Sequence, residues 1–344
     1  GQGVEVIVFP ELSVTGYSCQ DLFRQDILLD SAETAVMVLL DFTRKLNIIT
    51  IVGVPIVAGD ILLNCAVVIQ QGEILGIVPK TYLPNYNEFY ERRWFASSLD
   101  LCYEEIRFAG HKMVMPANSP IFTTSQGVRF GVEICEDVWA PIPPSNNLTL
   151  AGADIIFNMS ASDEIIGKHD YLKTLLSQQS ARTMCGYVYS SCGFGESTQD
   201  VVYGGNAIIY ENGKLLAEGE RFSLSDQIVS AQIDVERLRA ERRNNTTFVT
   251  AQHNAMHVEH VVDCHGIDVK YDFKLEREVG PHPVIPHTND MKKSCEEIFN
   301  IQVMGLAKRI VHTNSKTVVI GISGGLDSTL ALLVCVRTFD KLKL

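Results

Sequence analysis

The sequence predicts an α/β fold in which a mixed β-sheet is covered by helices. Three observations carry this. Short apolar runs rich in Val and Ile alternate with stretches whose apolar residues recur at helical spacing. Some predicted strands are joined by tight turns and others by helices, which makes the sheet mixed rather than parallel. The 344 residues are 46% hydrophobic and 20% charged, which is core material for about two domains.

Residues 4–9 form a continuous apolar run, the pattern of a strand buried on both faces. Ala32, Val36, Leu39, Leu40, Thr43 and Leu46 share one helical face, so 31–46 is read as an amphipathic helix. Residues 48–55 return as a strand. Strands 62–70 and 73–78 flank Gln71-Gly72, a hairpin signal. Residues 82–94 show no period and form a polar, aromatic loop. Strands follow at 128–134 and 154–158, then a helix at 168–184 and a strand at 187–191. Strands 206–210 and 215–219 pair across Glu211-Asn212-Gly213-Lys214. A last strand is predicted at 227–234, before a charged helix at 235–243. Residues 244–247 are a polar break. The chain then becomes irregular and rich in His and Pro, with one strand at 257–262. A helix at 290–313 and an apolar strand at 317–322 open a second domain. The expected division is 1–245, a linker at 246–289, and 290–344.

The net charge of −12 argues against a nucleic-acid binder built on a basic face. No apolar run approaches the roughly 18 residues that span a bilayer, and no signal-peptide pattern opens the chain. The nine cysteines include no C-x-x-C pair. Free thiols in a reducing cytoplasm fit that count better than a disulfide framework or a zinc site. Gly1 to Gly3 lead at once into an apolar run, and the last helix follows closely on a Gly-rich turn. The chain is therefore expected to be part of something longer.

Three predicted strands run into a chemically capable residue: Pro10-Glu11, Pro79-Lys80 and Cys135. Sites in α/β folds collect at the carboxyl ends of strands. A free thiol is a poor nucleophile because it is mostly protonated near neutral pH. An ammonium stabilises the thiolate, and a carboxylate accepts the thiol proton and returns it to a leaving amine. The ammonium, with a backbone N–H, also stabilises a tetrahedral oxyanion. Each residue alone has a plainer role: a buried small Cys, a Glu opening a helix, a solvated Lys. A papain-like Cys–His pair is the competing chemistry, but no His lies in a strand-end motif.

Phe9-Pro10-Glu11-Leu12, Pro79-Lys80-Thr81-Tyr82-Leu83-Pro84 and Glu133-Ile134-Cys135-Glu136-Asp137 resemble, in order and spacing, the Glu-Lys-Cys triad of the nitrilase superfamily. Pro84-Asn85-Tyr86 with Phe89, Glu91 and Arg92-Arg93-Trp94-Phe95, and residues 131–139, resemble the glutaminase domain of glutamine-dependent NAD synthetases. The resemblance implies a nitrilase-like four-layer α-β-β-α sandwich over 1–245. It implies Glu11 as general base, Lys80 as electrostatic stabiliser and Cys135 as nucleophile. It maps glutamine-holding positions onto Tyr86, Phe89, Glu91, Glu136, Ser162 and Lys168; the last is often Arg in relatives.

The apolar run 318–322 is followed by Ser323-Gly324-Gly325-Leu326-Asp327-Ser328 and an apolar helix. Two glycines allow a tight turn, and the free N–H groups of a helix start attract an anion. Ser323 and Ser328 add hydroxyl donors. Asp327 caps the helix or orients a metal or phosphate donor. A merely capped turn is the plainer reading. No Gly-Lys-Ser/Thr of the Walker type is present. Gly321 to Ser328 resembles the pyrophosphate loop of N-type ATP pyrophosphatases, which NAD synthetases carry. This implies the start of an adenine nucleotide α-hydrolase-like, Rossmann-like domain. It implies ATP bound by Gly321, Ser323, Gly324, Gly325, Asp327 and Ser328, with Mg²⁺ on the phosphates and Asp327 as its weakest-founded ligand. The two motifs point independently to one family. The implied reaction is conversion of deamido-NAD to NAD with ATP and glutamine, in a cytoplasmic homo-oligomer without nucleic-acid or membrane partners. A stand-alone amidase acting on another amide or a nitrile shares the triad but lacks the second loop.

Overall fold

A computed structural model describes residues 3–101, 104–116, 118–198, 201–253, 260–266, 274–277, 279–280 and 291–344. They cluster into two units, 1–276 and 277–344. The first unit runs β1 (Val6–Val8), α1 (Asp26–Thr43), β2 (Ile49–Ala58), β3 (Ile61–Gln70), β4 (Glu73–Pro79), β5 (Glu104–Phe108), β6 (His111–Met115), β7 (Ile121–Thr123) and β8 (Arg129–Ile134). It continues with α2 (Pro144–Leu150), β9 (Ile155–Ser160), α3 (Lys168–Thr183), β10 (Gly186–Ser191), β11 (Ala207–Glu211), β12 (Lys214–Glu218), α4 (Val235–Asn244), α5 (Thr246–Gln252) and β13 (Val261–Asp263).

Two sheets carry this unit. One has four strands in the order β1-β2-β3-β4; the other has seven in the order β12-β11-β10-β9-β8-β7-β13. Residue parity divides β2 between two cores, as a period of two requires. Ile49 and Ile51 face inward, with Ala66 and Val68 of β3, against Phe122, Val132, Ile134 and Phe157 of the other sheet. Val52, Val54 and Ile56 face outward, against Ala32, Val36 and Leu40 of α1. The outer face of the seven-stranded sheet packs Ile156, Tyr187 and Ile208 against Leu148 of α2 and Leu172 and Leu176 of α3. The result is the α-β-β-α sandwich that the resemblance implied.

Most predicted strands are present within a few residues of their expected ends. The helix expected at 31–46 starts earlier, at Asp26. The Ser31 hydroxyl bonds the Ile27 carbonyl at 2.6 Å, inside the helix. The strand expected at 227–234 is absent. Gln227 spends its side chain on the main chain of Glu220 and Gly205, and Ile228 is 66% exposed, so the segment lies along the unit without joining a ladder. The polar break at 244–247 is a cap: the Asn245 side chain accepts the Phe248 N–H at 2.9 Å and starts α5. Of the strand expected at 257–262, positions 257–259 lie outside the described residues, and β13 covers 261–263.

β13 pairs in parallel with β7, Val261 opposite Ile121. Beyond it the Gln70 side chain imitates a peptide unit. Its Oε1 accepts the His265 N–H at 2.9 Å and its Nε2 donates to the His265 carbonyl at 3.2 Å. The same residues thus touch both sheets.

The second unit has α6 (Met291–Thr313) and α7 (Leu326–Leu342), with Val303, Ala307, Ile310, Val334 and Thr338 buried. The strand expected at 317–322 does not form: the segment joins no ladder, and Val319 is 98% exposed. A strand needs a neighbour for its backbone groups, and the described residues of this unit supply none.

Candidate active site

Glu11, Lys80 and Cys135 come together at the carboxyl ends of strands from both sheets. Glu11 sits in the turn after β1, where its N–H donates to the Ser160 carbonyl at 3.3 Å. Gly53 of β2 makes room for this turn, since a Cβ there would lie 2.2 Å from the Leu12 nitrogen. Lys80 follows β4 and donates its N–H to the Asn64 carbonyl at 2.8 Å. Cys135 follows β8 with φ +46°, a left-handed conformation costly to a residue with a Cβ. All three side chains are buried.

Lys80 Nζ donates to Glu11 Oε1 at 2.7 Å and to Glu91 Oε1 and Oε2 at 2.8 and 2.9 Å. Asn64 Nδ2 donates to Glu11 Oε1 at 2.6 Å, and the Tyr17 hydroxyl to Glu91 Oε1 at 2.7 Å. Glu11 Oε2 is buried and accepts nothing from the described residues. Burial pulls the Lys80 pKa down, but Glu11 and Glu91 more than reverse this, so the ammonium stays charged. Burial, opposed by Lys80, pushes Glu91 up to about 7. Burial and then the Glu11 charge raise the Cys135 thiol well above its ordinary value, against the pull of Lys80. Burial thus favours the protonated form of the Cys135 thiol, while Glu11 Oε2 keeps a free lone pair.

The turn around Cys135 is held by buried carboxyl groups. Glu133 accepts the Ser145 N–H at 2.8 Å and the Tyr187 hydroxyl. Asp137 accepts the N–H groups of Ile134 at 2.9 Å, Tyr82 at 2.8 Å and Thr81 at 3.2 Å. Burial and the Glu133 charge push Asp137 up to about 8, against the hold of those N–H groups.

Tyr86, Phe89, Glu136 and Lys168 form one cluster. The Tyr86 hydroxyl donates to Glu136 Oε1 at 2.7 Å. Lys168 Nζ stands 5.4 Å over the Phe89 ring and 5.7 Å over Trp139, and pairs with Asp163. Ser162 is buried just after β9, next to Ala161, whose N–H bonds Cys135. Glu91 stands apart from this cluster, fully engaged with Lys80 and Tyr17. Sequence reasoning missed Asn64, Tyr17 and Asp137. Asp137 had a signal, as part of the Cys135-Glu136-Asp137 run; Asn64 sits mid-strand and Tyr17 in a turn, and neither position advertises its neighbour.

In the second unit, Gly324 has φ +82° and Gly325 precedes α7. The Ser323 N–H donates to Ser328 Oγ at 3.3 Å. Gly321, Ser323, Gly324, Gly325 and Asp327 are exposed and Ser328 is half-buried. Among the described residues no three His, Cys, Asp or Glu side chains gather to hold a metal. Asp327 offers one carboxylate in the first turn of α7, which suits a Mg²⁺ ion held mainly by phosphate oxygens and water.

Residues 1–243 match the family model described as Carbon-nitrogen hydrolase, and 298–344 match that described as NAD synthase. The glutamine-dependent NAD(+) synthetase of Mycobacterium bovis is 40% identical over 98% of this chain and 50% of its own length. The chain thus spans about half the length of that relative. A glutamine-dependent NAD(+) synthetase structure from Cytophaga hutchinsonii aligns with TM-score 0.58 and 27% identity, over 66% of this chain and 37% of that one. A carbon-nitrogen hydrolase from Helicobacter pylori aligns with TM-score 0.56 and 21% identity, over 72% of this chain and 82% of that one; at this identity it speaks for the fold.

Proposed function

Because this chain belongs to the carbon-nitrogen hydrolase family, we propose that its first domain is the glutaminase of a glutamine-dependent NAD(+) synthetase. The domains are 1–245 for glutamine hydrolysis, 246–289 as a connection whose α5 and β13 pack on the first unit, and 290–344 as the start of the ATP-dependent synthetase. The observation that carries the reading is the free lone pair of Glu11 Oε2 in a buried cluster with Lys80 and Cys135.

Glu11 Oε2 takes the thiol proton as Cys135 attacks the side-chain amide of glutamine. Lys80, held by Glu11 and Glu91, stabilises the oxyanion together with a backbone N–H. The proton held by Glu11 passes to the departing nitrogen, ammonia leaves and a thioester remains. Water then resolves the thioester to glutamate and free thiol. Glutamine is held by Tyr86, Phe89, Glu136, Ser162 and Lys168. Glu91 acts on Lys80 instead of the substrate. Ammonia amidates the adenylated carboxylate of deamido-NAD with departure of AMP, giving NAD. Residues 321–328 hold the ATP phosphates, and Asp327 is the residue here suited to their Mg²⁺, which neutralises phosphate charge when bound. Among the described residues no helix is long and apolar enough to cross a membrane. The enzyme is assigned to the cytoplasm, as a homo-oligomer.

Ammonia release from glutamine by the wild-type protein and by Cys135→Ala tests this. Release that vanishes in a folded variant supports the reading. Hydrolysis of another amide with none of glutamine overturns it in favour of a stand-alone amidase.

A further inference from the structure

Asp137 is a buried carboxyl group that the proposed chemistry leaves unused. It lies two residues beyond Cys135 and is 2% exposed. Its partners are main-chain N–H groups: Thr81 and Tyr82 on Oδ1, Ile134 on Oδ2. Thr81 and Tyr82 leave the strand end that carries Lys80. Ile134 is the residue before Cys135. β4 and β8 belong to different sheets, so no ladder sets the height of one strand end against the other. Apolar packing between sheets is not directional, whereas a carboxyl group with N–H donors on both oxygens fixes distances. The charged groups facing it are Glu133 and, more weakly, Lys80.

We propose that Asp137 is a positioning residue for the Lys80–Cys135 pair: by accepting N–H groups from both strand ends it sets the separation of ammonium and thiol. This deepens the glutaminase reading and rests on it. Asparagine at 137 keeps the shape but offers one acceptor oxygen in place of two, so one of the two strand ends loses its hold.

The test compares wild type, Asp137→Asn and Asp137→Glu in the full-length protein, with Cys135→Ala as the blank for the other thiols. Glutamine hydrolysis, alkylation of Cys135 by iodoacetamide at pH 8, and thermal unfolding are measured together. A displaced reacting group costs on the order of 100-fold. Asp137→Asn is therefore expected to unfold cooperatively, to lose that much kcat with KM changed less than about threefold, and to alkylate more slowly. Asp137→Glu restores the carboxyl group one methylene too far and is expected to be folded but slow. A folded variant that hydrolyses and alkylates at wild-type rates overturns the proposal. Failure of both variants to fold also overturns it, since Asp137 is then a requirement of the fold. Wild type that alkylates but releases no ammonia sinks the glutaminase reading instead, and the alkylation comparison still decides Asp137.

Discussion

Lys80 lies between two carboxyl groups with no exposed side-chain surface on any of the three beyond 1%. Removing one partner of such a cluster leaves uncompensated buried charge, which costs about 3–5 kcal/mol. Lys80→Met is accordingly expected to lower the urea midpoint by that equivalent, besides ending hydrolysis. Unchanged unfolding would show that the carboxyl groups take up protons without penalty. Glu11, Lys80 and Cys135 were legible because each ends an apolar run, where the chain leaves the sheet and a side chain can face a site. Asn64 and Tyr17 were not, since their partners lie 53 and 74 positions away in sequence and nothing local marks them. Glu91 was legible as a site residue, but its engagement by Lys80 appears only in three dimensions.

At the level of the strand, Gly53 shows how backbone composition decides the site. It sits inside β2, where Gly ordinarily weakens a strand, and here it admits the turn bearing Glu11. Alanine would overlap the Leu12 backbone. Gly53→Ala is expected to cost about 1–3 kcal/mol and to reduce glutamine hydrolysis far more than its loss of folded protein. Equal losses of the two, by thermal unfolding and ammonia assay, would show that Glu11 keeps its place. The Asn212-Gly213 turn was readable because left-handed φ values at both positions favour those residue types, and the Gln71-Gly72 hairpin through its glycine. The segment 227–234 is apolar without being a strand: Val229 and Ile233 pack against Gly219 and Gly186 without entering a ladder. The β5–β6 hairpin went unseen although Glu105-Ile106-Arg107-Phe108 alternates polar with apolar residues, Ile106 and Phe108 being buried.

For the molecule as a whole, periodicity announced sheets and helices but not how they stack. Runs such as 49–58 and 61–70 read alike whether one sheet is covered by helices or two lie face to face, because burial on both faces looks the same either way. The motifs supplied the sandwich. The second unit has the two predicted helices, yet the strand predicted between them at 317–322 finds no partner. Those amides are expected to exchange with deuterium within seconds in this chain, while β11, paired on both sides, stays protected. Slow exchange at 317–322 would mean the strand has found a neighbour. The link from Gln70 and β7 to residues 261–265 bears on synthesis. A ribosome that has just joined residue 250 holds a chain whose β7 edge has no β13 and whose Gln70 amide lacks its two bonds to His265. Open edges recruit other chains. The order of translation therefore exposes this sandwich longest at the edge that closes it last.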